Sequence, residues 1–161
     1  MRKATPYLLS AALFVAWLGF VAVPNLLIAR NRSFEKRTMA DMRTLAQALE
    51  ARATDQNTYG LIPADAALRG GEMGDLTKLR PVAHRDLARA LTPTYIRNVP
   101  KEDGWGNEFD VRVANSTYTV RSPGSDGRTE GDKYAVMRTN TRFDQDIVFS
   151  EGTFLVYPEG L

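Results

Sequence analysis

At 161 residues the chain has room for one domain and an appendage, and its hydrophobic content of 43% could build a modest core. A formal net charge of +2 gives no argument for a nucleic-acid partner. With no cysteine, a disulfide framework, a thiolate metal site and a thiol nucleophile are all excluded.

The apolar residues are unevenly spread, and the first concentration is N-terminal. From Tyr7 to Ala29 no residue carries a charge. About 20 apolar residues in a helix cross the roughly 30 Å core of a bilayer. A cleaved secretory signal usually has an apolar region of about 7 to 15 residues followed by small residues. This run is longer, and Pro24-Asn25-Leu26-Leu27 is a poor cleavage site. The expectation is a retained transmembrane half-helix over residues 1–29. Basic residues stand on both sides, Arg2 and Lys3 before it and Arg30, Arg32, Lys36 and Arg37 after it, so charge leaves the orientation open. Pro24 lacks an amide hydrogen and its ring crowds the carbonyl of Phe20, which predicts a structural kink.

Residues 30–58 continue as an amphipathic helix half. Met39, Met42, Leu45, Ala46, Leu49 and Ala53 recur at the three-and-four spacing of one helix face, while Asp41, Arg43, Glu50 and Arg52 lie off it. Asn57 and Gly60 can take positive φ, and Pro63 prevents the helix from resuming. A continuous helix from about residue 5 to 58 would be roughly 80 Å long. The residues after it are too few to cover such a rod, so only the stripe from Met39 to Leu49 is expected to pack on the C-terminal domain.

Residues 59–161 read as that domain. The stretch 60–85 mixes Gly, Pro and Asp and is a variable connecting loop; His84, the only histidine, is assigned no role. A short helix is predicted from Asp86 to Leu91, ended by Thr92-Pro93. Trp105 lies between two glycines in "DGWGNEF", a packed turn closing the sheet onto the helix. Strand alternation follows. Phe109, Val111 and Val113 face one way, and Asp110 and Arg112 the other. After the turn "ANS", Tyr118 and Val120 answer, with Thr117, Thr119 and Arg121 opposite. "DIVFS", the turn "EG" and "TFLVYP" form another pair. The expected fold is α+β: one long N-terminal helix packed on about four antiparallel strands.

No nucleophile–base pair, phosphate loop or histidine–carboxylate metal motif occurs, so the expectation is a non-enzymatic protein. The chemistry-bearing segment is "SPGSDGRTEGDKYAVMRTNTRFDQDI", which holds Asp126, Glu130, Asp132, Asp144 and Asp146. Calcium takes about six to eight oxygens from carboxylates and backbone carbonyls on a flexible loop, and Gly124, Gly127 and Gly131 allow the turns that would aim them inward. The spacing is not that of an EF-hand. A solvated loop whose Asp and Gly residues serve turns accounts for the same composition.

An uncharged N-terminal helix with a late proline, "PNLLIARNR", followed by "EKRTMADMRTLAQALEARATDQNTY", resembles the N-terminal half of type IV pilin-like proteins. "LTPTYIRNVPKEDGWGNEFDVRV", "SPGSDG" and "DQDI" resemble segments of the major pseudopilins of type II secretion, and the resemblance runs in order along nearly the whole chain. It implies a pilin-like fold and a subunit that works by filament assembly or docking. Its partners would be copies of itself or other pilin-like subunits and the inner-membrane machinery of a secretion system or pilus. It implies a single-pass protein of the bacterial inner membrane with its C-terminal domain in the periplasm. It also implies calcium, with Asp144 and Asp146 matching paired aspartates before Ile147, although Gln145 separates them here, and with Asp126 matching the loop's Asp-Gly. Pro24 matches a family proline at which the helix bends or melts on filament packing.

One departure stands out. Prepilins have a glycine at their cleavage point and a glutamate soon after it. Here no glycine precedes Gly19 and no acidic residue precedes Glu35; Tyr7 stands about where the glutamate would be. That leaves a second expectation, an anchored periplasmic binding or accessory domain that does not polymerise.

Overall fold

The computed structural model describes the backbone of residues 5–159 and the side chains of all of these except 5–13, 15, 16, 18 and 21. Its first element, α1, spans Thr5–Gln56 and includes Pro24. Ala, Leu, Met, Gln, Glu and Arg fill its second half, all good helix formers. The helix ends where Asn57 takes a φ of 55°, a conformation that asparagine tolerates better than most residues. The chain divides at Ser33 and Phe34 into two units, and the second holds everything described next.

Six strands follow α1: β1 (Arg80–Val82), β2 (Asp110–Val113), β3 (Tyr118–Ser122), β4 (Arg138–Asn140), β5 (Ile147–Ser150) and β6 (Thr153–Pro158). A second helix, α2 (His84–Leu91), lies between β1 and β2. The sheet order is β1-β2-β3-β5-β6-β4. Every pairing is antiparallel except β4 with β6, which is parallel. The sheet is therefore mixed and six-stranded, against an expectation of about four antiparallel strands. The two unexpected strands are three-residue edges, too short for an alternation to register, and Pro81 sits in one of them, where its missing amide hydrogen is tolerated.

Register sorts the sheet into two faces. Val111 pairs with Val120, Val120 with Phe149 and Phe149 with Phe154, so these four form one row across the sheet. That row joins Met39, Met42, Leu45, Ala46 and Leu49 of α1, together with Leu87 and Leu91 of α2, in the main core. Each fully buried leucine or valine side chain contributes about 1.5–3 kcal/mol. Phe149 and Phe154 meet edge-on at 4.6 Å. Tyr118 lies in the same core, and its hydroxyl donates to Glu50 of α1, tying helix to sheet.

One residue along, the row runs Asp110, Arg121, Val148, Val156. This second face is not left to solvent. Leu76, from a 3-10 turn at Leu76–Lys78, and Tyr134, from a loop, close over Val148, Leu155 and Val156 as a second small core. All five residues of β3 are buried as a result.

A buried carboxylate ties the start of the segment 60–85 to the sheet. Asp65 is fully buried; it accepts the amides of Leu61 (2.7 Å) and Ile62 (3.1 Å) and the guanidinium of Arg80 (2.5 and 2.8 Å). Arg80 belongs to β1, so this cluster fastens the loop to the sheet edge. Gly60 makes room for it, because a Cβ there would lie 2.7 Å from that of Asp65. His84 opens α2, and its Nε2 lies 3.3 Å from the Val99 carbonyl.

Candidate cation site in the acidic loop

The acidic segment leaves β3 at Ser122, passes through the edge strand β4 and enters β5 at Ile147, and Ser122 and Ile147 pair with each other across β3 and β5. Its two arms are thus side by side where they join the sheet. Just beyond, the Ser125 amide donates to the Phe143 carbonyl at 2.8 Å. Gly124, with a φ of +70°, is required there twice over. Its backbone conformation disfavours a side chain, and a Cβ would lie 2.6 Å from the Gln145 carbonyl oxygen.

The "DGWGN" turn clamps the loop from below. Asp103, 2% exposed, accepts the amides of Trp105 and Asn107 at 2.9 Å each and the Ser122 hydroxyl at 2.7 Å. Asn107 donates from Nδ2 to the Gly124 carbonyl at 2.7 Å. The same turn meets α1. The Gly104 amide donates to Thr38 Oγ1 at 2.8 Å, and Trp105 packs edge-on against Phe34 at 6.2 Å.

The loop's acidic side chains have separate fates. Asp126 is exposed and accepts the Arg128 amide at 2.9 Å, a turn-shaping bond. Asp144 is taken by Arg142, which holds both its oxygens. Glu130 lies 3.7 Å from Arg138, and Asp132 lies 3.0 Å from Arg112 and 3.4 Å from Arg121. Asp146 alone is fully buried. Its Oδ2 accepts the Tyr134 hydroxyl and the Glu130 amide (3.0 Å), while its Oδ1 is buried with no hydrogen-bond partner. Burial pushes the Asp146 carboxyl above its ordinary value, and the Asp126 charge adds to that; the Tyr134 hydroxyl, the Glu130 amide and the Arg121 guanidinium act the other way.

The structure therefore sets Asp126 within electrostatic reach of Asp146 and sends Asp144 to an arginine. Among the described residues, no three His, Cys, Asp or Glu side chains converge closely enough to hold a metal ion. One carboxylate oxygen of the set, Asp146 Oδ1, is buried without a hydrogen-bond partner, as are Asn140 Oδ1 and Arg121 Nε, and it is the acidic oxygen left open to a cation. Calcium takes about six to eight oxygens from carboxylates, backbone carbonyls and water, so Asp146 Oδ1 would supply one ligand and the rest would come from elsewhere in the loop.

Three residues central to this site were not singled out from the sequence. Arg121 is the buried cation of β3, bonded to Asp110, Gly131 and Tyr134. Tyr134 stands between Arg121 and Asp146. Asn140 donates from Nδ2 to the Asp146 carbonyl at 2.8 Å. An arginine in a β-branched, aromatic strand and a lone tyrosine in a polar loop were the available signals.

No protein-family profile, characterised protein or solved structure matches this chain.

Proposed function

We propose that the chain is a non-enzymatic, pilin-like subunit, of the pseudopilin kind, that works by filament assembly or docking. The first half of α1 anchors it in the bacterial inner membrane and the C-terminal domain lies in the periplasm. Its partners are the membrane, copies of itself or other pilin-like subunits, and the inner-membrane machinery of a secretion system or pilus. The observation that carries the reading is the change of character along α1. From Thr38 onward its stripe is buried in the sheet domain. Before Ser33 the described apolar side chains are exposed, Phe20 by 82% and Leu26 by 68%. An exposed row of large apolar side chains on one helix calls for lipid or for the helices of other subunits. Among the described residues no helix is long and apolar enough to cross a membrane. The run read as the anchor, 7–29, lies partly outside the residues whose side chains are described.

The acidic loop supplies the second part of the reading, a calcium ion bound by Asp146 and Asp126, with Asp144 as a further candidate and backbone oxygens near 122–125 completing the shell. Bound there, calcium would neutralise Asp146 and Asp126 and hold the loop on the sheet.

A second reading, an anchored accessory domain that does not polymerise, is favoured by the absence of any acidic residue before Glu35. In an apolar filament core the missing glutamate would leave a neighbouring amine without a counter-charge. Detergent extraction of the full-length protein from membranes, intact mass spectrometry and electron microscopy separate these outcomes. The proposal expects a mature chain that retains the 7–29 run and forms filaments, alone or with neighbouring pilin-like proteins. A membrane-bound protein that stays dispersed supports the accessory reading. A mature chain beginning at or after Pro24, recovered without detergent, overturns both.

A further inference from the structure

We propose that Tyr134 is a positioning residue for the cation at Asp146: its hydroxyl, held in place by Arg121, fixes one carboxylate oxygen and leaves the other to the ion. The inference rests on the calcium reading of the acidic loop and extends it to residues outside the carboxylates.

The geometry runs outward from the sheet. Arg121 is buried in β3. It is fixed by Asp110, by the Gly131 carbonyl and, at 3.4 Å, by Asp132. Its NH1 donates to the Tyr134 hydroxyl oxygen at 2.9 Å. That hydroxyl has a single proton, with two acceptors in reach, Asp146 Oδ2 and the Gly131 carbonyl at 2.7 Å. Gly131 already accepts from Arg121, and an ionised carboxylate is the stronger acceptor, so the proton goes to Asp146.

The tyrosine cannot drift. Its ring is packed with Leu76, Val148, Leu155 and Val156, its amide donates to the Gly74 carbonyl at 2.9 Å, and Gly74 approaches so closely that a Cβ would lie 2.4 Å from the Tyr134 carbonyl oxygen. With Oδ2 held by Tyr134 and the Glu130 amide, the Asp146 carboxylate cannot rotate freely. Oδ1 is left as its one buried oxygen without a partner. Asn140 holds the Asp146 main-chain carbonyl as well. A carboxylate oriented in this way by fixed donors is a pre-formed ligand, and removing the groups that orient a metal ligand weakens metal affinity roughly ten- to a hundredfold.

The test is isothermal titration of the full-length protein in detergent with calcium chloride, paired with thermal melts in chelator. Four proteins are compared: wild type, Asp146→Ala, Tyr134→Phe and Leu45→Ala. Phenylalanine keeps the ring in its cluster and removes only the hydroxyl, whereas Leu45→Ala destabilises the main core and leaves the Tyr134 cluster intact. The expected result is calcium binding by wild type, none by Asp146→Ala, and roughly tenfold or greater weakening in Tyr134→Phe. Leu45→Ala should melt at a lower temperature yet bind calcium like wild type. Equal affinity in wild type and Tyr134→Phe would overturn the positioning role while leaving the calcium site standing. So would equal weakening in Leu45→Ala and Tyr134→Phe, because stability alone would then explain the loss. A wild type that does not bind calcium overturns the calcium reading and the inference together.

Discussion

Replacing Asp65 with asparagine tests whether the 60–85 segment is fastened to the sheet by charge. Asp65 is fully buried and receives four hydrogen bonds, two from backbone amides and two from Arg80. The Arg80 side chain beside it holds its carboxyl at about 2, against an ordinary 3.8, with the Ile62 and Leu61 amides helping and burial opposing. That difference corresponds to roughly 2 kcal/mol at neutral pH. Arg80 is 30% exposed, so water screens the pair, and 2 kcal/mol is an upper figure. The same exposure lets Arg80 rehydrate when its partner is gone, which keeps the cost below that of stranding a fully buried charge. Asparagine has nearly the same size but cannot match two amides and a guanidinium with two acceptor oxygens.

The sign of the pH dependence follows from the depressed value. The stabilisation is present in full above the unfolded carboxyl's ordinary range and is lost as pH falls toward about 2. Thermal melts of wild type and Asp65→Asn in the same detergent should differ by roughly 5–10 °C at neutral pH. The gap should close between about pH 4.5 and 2, where protonated aspartate comes to resemble asparagine. A gap that stays constant across that range, or no gap at neutral pH, would refute the reasoning.

Two further substitutions probe how the sheet domain meets α1. Gly104→Ala would set a Cβ 2.4 Å from the Phe34 carbonyl oxygen and push the "DGWGN" turn off the helix. A loss of about 1–3 kcal/mol is expected from chemical denaturation, and a loss under about 0.5 kcal/mol would mean that the turn gives way freely. Leu45→Ala empties a position of α1 that is 0% exposed. It should cost about 2–5 kcal/mol in the same assay, and a cost below about 1 kcal/mol would remove the α1 stripe from the core.

How much of this was legible in the chain depends on whether a residue's environment is set locally or by distant segments. The stripe Met39, Met42, Leu45, Ala46, Leu49 could be read directly, because a helical period has only one way to bury such a face. Val111, Val113, Tyr118 and Val120 could be read for the same reason at a period of two. The helix ending near Asn57 followed from turn chemistry. Alternation also suggested that Thr119 and Arg121 lie off the helix-facing side of β3. It could not show that a second layer covers them, because Leu76 and Tyr134 come from segments without any period. Nor could three-residue strands announce themselves, since β1 and β4 exist only where longer strands offer them an edge. The acidic loop shows the division most sharply. Asp126, Asp144 and Asp146 are alike in the sequence, yet one is exposed, one is held by an arginine and one is buried with an oxygen unpaired. Residue type determined that this loop would carry negative charge. Which carboxylate lost its water was decided by register: Ser122 pairs with Ile147, which fixes Asp146 at the start of the central strand β5, bonded to Tyr134.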